Sequence, residues 1–88
     1  MTIELDGRQM TDRASAHDYL LAAFSFPAYY GRNLDALYDL LTEIAVPTTI
    51  LLRNRDDLVA QLGAYGTALL VTLHQAEENT PSLTLEIH

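Results

Sequence analysis

The sequence contains no cysteine, no lysine and no long apolar run, and each absence narrows what the protein can be. Without cysteine, disulfide bonds and thiol chemistry are excluded. No stretch approaches the ~20 apolar residues that a membrane-spanning helix requires. The N-terminal residues, MTIELDGR, have neither the charged start nor the apolar run of a signal peptide. We therefore expect a cytoplasmic protein that does not enter a membrane.

Positive charge is scarce, because the five basic residues are all arginine and stand against twelve acidic residues, for a formal charge of −7. An acidic domain without a basic patch is a poor ligand for phosphate backbones, so we expect no direct nucleic-acid binding. The acidic balance has two interpretations. It attracts a basic partner through long-range electrostatics, or it only keeps the domain soluble.

The chain has 88 residues, 49% of them hydrophobic, which fits one packed domain spanning residues 1–88. Alternating or β-branched runs predict strands at residues 2–5, 48–52 and 83–87. Apolar residues at helical spacing predict helices at about residues 12–25, 34–44, 55–62 and 66–78. The order β-α-α-β-α-α-β favours an α/β fold, in which a small three-stranded parallel sheet is packed by about four helices.

Local signals mark several ends of these elements. Thr11 or Asp12 is predicted to cap the first helix, and Asn54 the third. Gly63 is predicted to end the third helix. The Val46–Pro47 bond before the second strand is a candidate cis peptide, and the sequence leaves its state open.

The most informative stretch is residues 27–44, PAYYGRNLDALYDLLTEI, a loop that leads into the second helix. Asn33 is predicted to cap this helix, because its side chain can accept from the free backbone N–H groups of the first turn. At helical spacing the apolar face consists of Leu34, Leu37, Leu41 and Ile44. The opposite face carries Asp35, Tyr38, Asp39, Thr42 and Glu43.

The polar face of this helix holds negative charge at a cost in stability. Asp39 has a like charge four residues away on each side, at Asp35 and Glu43, and each such pair costs roughly a few tenths of a kcal/mol. In the preceding loop, neighbouring side chains point in opposite directions, which predicts an exposed Tyr29 and a buried Tyr30. Exposed tyrosine beside aspartate is typical of a protein-binding surface. The alternative is ordinary loop packing beside a solvated acidic face.

Two other interpretations of the acids are less well supported. Acid–base catalysis by Asp35 and Asp39 requires a carboxyl group whose pKa is raised by burial, and this face is polar. A metal site requires ligands from several segments, whereas Asp35, Asp39 and Glu43 follow a single helix. We therefore expect no enzymatic activity and no metal or other cofactor. His17 is predicted to be a hydrogen-bonded, partly buried side chain rather than a ligand.

The central stretch resembles the barstar family, whose members are intracellular inhibitors of small secreted ribonucleases. The matching residues are Pro27, Tyr29-Tyr30-Gly31, Asn33-Leu34-Asp35-Ala36-Leu37 and Asp39. A weaker resemblance covers the whole length and includes His17, Val46–Pro47 and the closing strand. The resemblance implies the family fold, a three-stranded parallel sheet packed by helices, and an inhibitor that performs no chemistry.

The resemblance also implies roles for individual residues. In barstar-like inhibitors this loop and helix block the active-site cleft of the ribonuclease. Asp39 matches the carboxylate that occupies a phosphate position, and Asp35 matches an acid that contacts the cationic rim. Tyr29 matches an aromatic ring that packs on the catalytic histidine. The expected partner-binding residues are Tyr29, Tyr30, Asn33, Asp35, Tyr38, Asp39, Thr42, Glu43 and Gln75.

Several positions depart from the family pattern. Tyr38 stands in place of tryptophan, and Glu43 in place of a small residue. Gln75 falls where the family can carry an acid, a change for which Glu77 and Glu78 can compensate. The expected partner is a small basic ribonuclease, bound by a protein that is monomeric when free. The alternative is an acidic adaptor on the same fold that binds a basic protein other than a nuclease.

Overall fold

The computed structural model describes residues 1–88 and contains three strands, four α-helices and one short 3-10 turn. The strands are β1 (Thr2–Asp6), β2 (Thr48–Arg53) and β3 (Leu83–Ile87). The helices are α1 (Arg13–Phe24), α2 (Leu34–Thr42), α3 (Arg55–Leu62) and α4 (Ala64–Glu78), and the 3-10 turn is Gly7–Gln9. The predicted element order and the α/β class are confirmed. None of the helices is both long and apolar enough to span a bilayer.

The sheet has the order β1-β2-β3, and both strand pairs are parallel, as predicted. The register aligns Ile3, Ile50 and Leu85 on one face. Each pair of neighbouring parallel strands is joined by two helices, and such connections are right-handed. Because the strands lie in the sheet in the same order as in the chain, both pairs of helices fall on the same face of the sheet. Burial agrees with this, since Ile50 is fully buried, whereas Glu4 and Glu86 on the opposite face are exposed. The helices therefore cover one face and leave the other to water.

The hydrophobic core lies between the covered face of the sheet and the helices. Leu37 and Leu41 of α2 are fully buried in it, together with Leu69 and Leu73 of α4. Burying a leucine side chain stabilises a fold by roughly 1.5–3 kcal/mol. These contacts hold α2 to the domain by one face, and the opposite face of the same helix must then point to water.

α4 begins earlier than predicted, at Ala64 instead of about Gly66. Gly66 is buried within the first turn, where a Cβ atom would lie 3.0 Å from the Leu58 side chain. The glycine therefore permits close packing of α4 against α3 and does not mark a helix start. Gly63 ends α3 as predicted, with φ of 60°, and α4 follows it directly.

Two further helix ends differ from the expectation. α2 ends at Thr42, so Ile44 lies beyond the helix, although its side chain still packs against the core. Asn54 precedes α3 but does not cap it, because its backbone is left-handed (φ 59°) and its side chain is turned away from the helix. Its Nδ2 donates instead to Oδ1 of Asp6 at 2.8 Å, which ties the ends of β1 and β2 together. The Val46–Pro47 bond is trans.

Leu37→Ala is expected to lower the free energy of unfolding by roughly 2–5 kcal/mol, because the substitution removes buried contacts and leaves a cavity. Leu34→Ala is the matched control, since Leu34 belongs to the same helix but is only half-buried. Urea unfolding of both variants measures the difference. Equal losses would contradict the central position of Leu37 in the core.

Candidate protein-binding surface

The start of α2 is fixed by Asn33. Its Oδ1 accepts from the backbone N–H of Ala36 at 2.7 Å, and its Nδ2 donates to the carbonyl of Gly31 at 3.3 Å. The predicted cap is therefore confirmed. Because one side chain bonds both the preceding loop and the first turn, the loop and the helix keep a defined relative orientation.

Tyr29 and Tyr30 point in opposite directions, as predicted. Tyr29 is 78% exposed, whereas Tyr30 is 4% exposed and packs on Phe26, with 4.9 Å between the ring centroids. Tyr30 is also among the expected contact residues, and its low exposure leaves little of its side chain for a partner. What Tyr30 does is hold the loop that presents Tyr29.

A buried polar network anchors this loop. The ring of His17 is 2% exposed; its Nδ1 lies 2.6 Å from the Tyr30 hydroxyl, and its Nε2 lies 2.6 Å from the Tyr65 hydroxyl. A neutral imidazole satisfies both contacts by donating through one nitrogen and accepting through the other. Burial, and to a lesser degree the nearby charge of Arg32, lower the pKa of His17. Burial raises the pKa of Tyr30.

Three exposed acids form a strip along α2 and its C-cap, which we call the acidic face: Asp35 and Asp39 in the helix, and Glu43 at the C-cap. None of their carboxylates has a hydrogen bond or an ion pair within the chain. Arg32 lies next to this face in sequence, but its guanidinium pairs with Asp18 of α1. No residue of the chain therefore pairs with the acidic face, and its carboxylates are free to meet a partner.

Tyr38 and Thr42 lie on the same helix and are half-buried. The Tyr38 hydroxyl oxygen lies 2.9 Å from Nδ2 of Asn79, the residue that follows α4. The Thr42 hydroxyl donates back to the carbonyls of Tyr38 and Asp39, each at 3.0 Å. Tyr38 therefore links α2 to α4, whereas the Thr42 hydroxyl is hydrogen-bonded within α2.

The end of α4 lies beside α2, and Gln75 is exposed there. Asn79 is not among the residues expected from the sequence, because nothing near it in the chain indicates its contact with Tyr38 on α2. Glu77 does not compensate for Gln75, because its carboxylate accepts from the backbone N–H of Leu85 at 2.6 Å and so covers the edge of β3. Glu78 is exposed and has no such contact.

A shallow groove of about 370 Å³ separates the Tyr29 loop from α2. Ala36 and Leu40 give it an apolar floor, while Asp39 and Glu43 supply negative charge on the helix side. A long cationic side chain fits this chemistry, because its stem can lie on the apolar floor while its charged end meets a carboxylate.

The carboxylates of the acidic face are not buried and do not converge from several segments. Asp35, Asp39 and Glu43 are all in contact with water, along one helix. Nowhere in the chain do three or more histidine, aspartate or glutamate side chains converge in a way that could hold a metal ion. The acidic face and the exposed ring of Tyr29 form an ordered, negatively charged surface, which suits binding to a cationic protein.

The His17 network predicts a pH dependence of stability. Because the pKa of His17 is lowered in the folded state, the unfolded chain takes up the proton first as the pH falls. The contribution of His17 to the free energy of unfolding is therefore fully present above pH ~6.5. Below that pH it declines, by at most about 1.4 kcal/mol per pH unit for one group. Urea unfolding between pH 7.5 and 5.5 measures this decline. His17→Gln cannot titrate and should be flatter over the same range; parallel curves would refute the assignment.

Comparison with known proteins agrees with this description. The family model described as "Barstar (barnase inhibitor)" matches residues 1–87. A curated protein of Bacillus subtilis (strain 168), named "Putative ribonuclease inhibitor YrdF", is 40% identical over 77 residues, which cover 86% of this chain and 85% of that protein. With a family model that spans nearly the whole chain and a relative of this identity, the chain belongs to the barstar family.

Proposed function

We propose that this protein binds a small basic ribonuclease and occludes its active site with the acidic face of α2 and the ring of Tyr29. Membership of the barstar family supports an inhibitor of ribonucleases. The observation that carries the proposal is that Asp35, Asp39 and Glu43 stand unpaired in water on a helix that is anchored to the core.

The physical reason is mimicry of the substrate. A ribonuclease active site is cationic because it binds phosphate, so carboxylates on a rigid helix can occupy the positions of phosphate groups. Hydrogen bonds between arginine and carboxylate are strong and directional when water is excluded. Tyr29 adds a large, rigid contact surface at a low entropic cost.

Pre-organisation supports the same mechanism. Leu37 and Leu41 fix the helix, Asn33 fixes its first turn, and the bond between His17 and Tyr30 fixes the loop. Binding loses less conformational entropy when the contacting groups are already ordered. More of the interaction energy then remains as affinity.

The distribution of charge supports a protein partner and not a nucleic acid. Four of the five arginines form ion pairs with carboxylates of the same chain, and Arg13 stacks over the ring of Tyr65 at 4.2 Å. No cationic patch is left to follow a phosphate backbone. We propose a cytoplasmic inhibitor, monomeric when free, whose net charge of −7 accelerates encounter with a basic enzyme.

The second candidate is an acidic adaptor whose basic partner is not a nuclease. Three departures from the family pattern favour this adaptor: Tyr38, Glu43 and Gln75. They change the chemistry of the binding surface and leave the fold unchanged. A panel of small secreted bacterial ribonucleases, barnase included, separates the two. Inhibition of any member supports the inhibitor, whereas binding only to basic proteins that are not nucleases supports the adaptor.

Asp39→Ala is expected to weaken inhibition by at least about 2 kcal/mol, the size of an interface hot spot, because Asp39 lies at the centre of the acidic face. Glu43→Ala, at the end of the helix, should cost much less. Titration of ribonuclease activity with each variant gives the two inhibition constants. If both variants inhibit equally well, the proposed centre of the surface is wrong.

A further inference from the structure

The side-chain amide of Asn79 makes two contacts with one nitrogen. Its Nδ2 lies 3.0 Å from the backbone carbonyl oxygen of Gln75 and 2.9 Å from the hydroxyl oxygen of Tyr38. The first contact is within the last turn of α4, and the second crosses to α2, 41 residues earlier in the chain.

Chemistry fixes the direction of both hydrogen bonds. A backbone carbonyl can only accept, so the atom of Asn79 that faces Gln75 must be the nitrogen and not the oxygen. That nitrogen carries two hydrogens, and the second one is directed at Tyr38. The oxygen of Tyr38 is therefore an acceptor in this contact.

Accepting on one side determines where the Tyr38 proton points. A phenol holds its O–H in the plane of the ring, with the acceptor position on the other side of the oxygen. With Asn79 on the acceptor side, the O–H points away from α4. It has no acceptor within the chain, because the contact with Asn79 is the only hydrogen bond of this hydroxyl.

The position of Tyr38 gives this free donor a use. Tyr38 lies between Asp35 and Asp39 in sequence and is half-buried, so its ring is held while its tip reaches the surface. Its neighbours on the acidic face present carboxylates, which only accept hydrogen bonds when ionised. The Tyr38 hydroxyl thus adds a fixed donor to a surface made of acceptors.

We propose that Asn79 is a positioning residue of the binding surface, which orients the Tyr38 hydroxyl to donate to a carbonyl or carboxylate oxygen of the ribonuclease. This inference rests on the proposed inhibitor function and adds a requirement to it. The cognate enzyme presents a hydrogen-bond acceptor opposite Tyr38, beside the cationic groups that meet Asp35 and Asp39. An enzyme without that acceptor leaves the hydroxyl unpaired in the interface and is bound less tightly.

The bond itself is tested in the free protein. In ¹⁵N-labelled protein, Tyr38→Phe should shift one of the two side-chain amide protons of Asn79 and leave the one bonded to Gln75 nearly unchanged. If neither proton shifts, the bond does not form and the inference is overturned, whatever the protein binds.

The function of the bond is tested with the ribonuclease of the panel that the wild type inhibits most strongly. Tyr38→Phe should raise Kd about five-fold, equivalent to about 1 kcal/mol. Asn79→Asp keeps the shape of the side chain but cannot donate, so Tyr38 turns its proton toward it, and Kd should rise by a similar factor. In the Tyr38→Phe background, Asn79→Asp should have little further effect.

The double variant separates positioning from other roles. Asn79→Asp also adds one negative charge and removes a contact at the end of α4. These two effects are equally present in the Tyr38→Phe background, so any additional loss of affinity in the wild-type background is due to the Tyr38 hydroxyl. If Asn79→Asp weakens binding equally with and without the Tyr38 hydroxyl, or if Tyr38→Phe binds like the wild type, the inference is wrong. If no ribonuclease is inhibited, the proposed function fails and the inference falls with it, while the amide shift still reports whether the bond exists.

Discussion

Burial of the leucine face of α2 is the constraint on which the binding surface depends. Leu37 and Leu41 are fully buried against the sheet and α4, so the rotation of the helix about its own axis is fixed. With this rotation, the side chains of the acidic face point into water: Asp35, Asp39 and Glu43. The charge of the surface is thus a consequence of packing in the core.

The same constraint explains why the repulsion among these acids is tolerated. Each like-charged pair on the helix costs roughly a few tenths of a kcal/mol, far less than the burial of one leucine contributes. Arg32, the nearest cation in sequence, pairs with Asp18 and leaves the three acids without a counter-charge. A cationic cleft that docks on α2 would relieve this repulsion on binding, which favours a basic partner over a neutral one.

Much of the fold was predictable because its signals are local. The leucine spacing of α2, the cap at Asn33 and the opposite orientations of Tyr29 and Tyr30 all follow from residues close in sequence. The bond between Asn79 and Tyr38 could not be predicted, because its partners are 41 residues apart and meet only when α2 packs on α4. The early start of α4 was missed for a related reason, since a buried glycine resembles a helix boundary until the neighbouring helix is known.

The most direct test of the account compares two charge removals of equal size, Asp39→Asn on α2 and Glu86→Gln on the open face of the sheet. Glu86 is exposed and unpaired, so both changes alter the net charge by the same amount. The measurement is the Kd for an inhibited ribonuclease. The account predicts a large loss for Asp39→Asn and a small one for Glu86→Gln. Equal losses would mean that only the overall charge matters, and would contradict a binding surface built on α2.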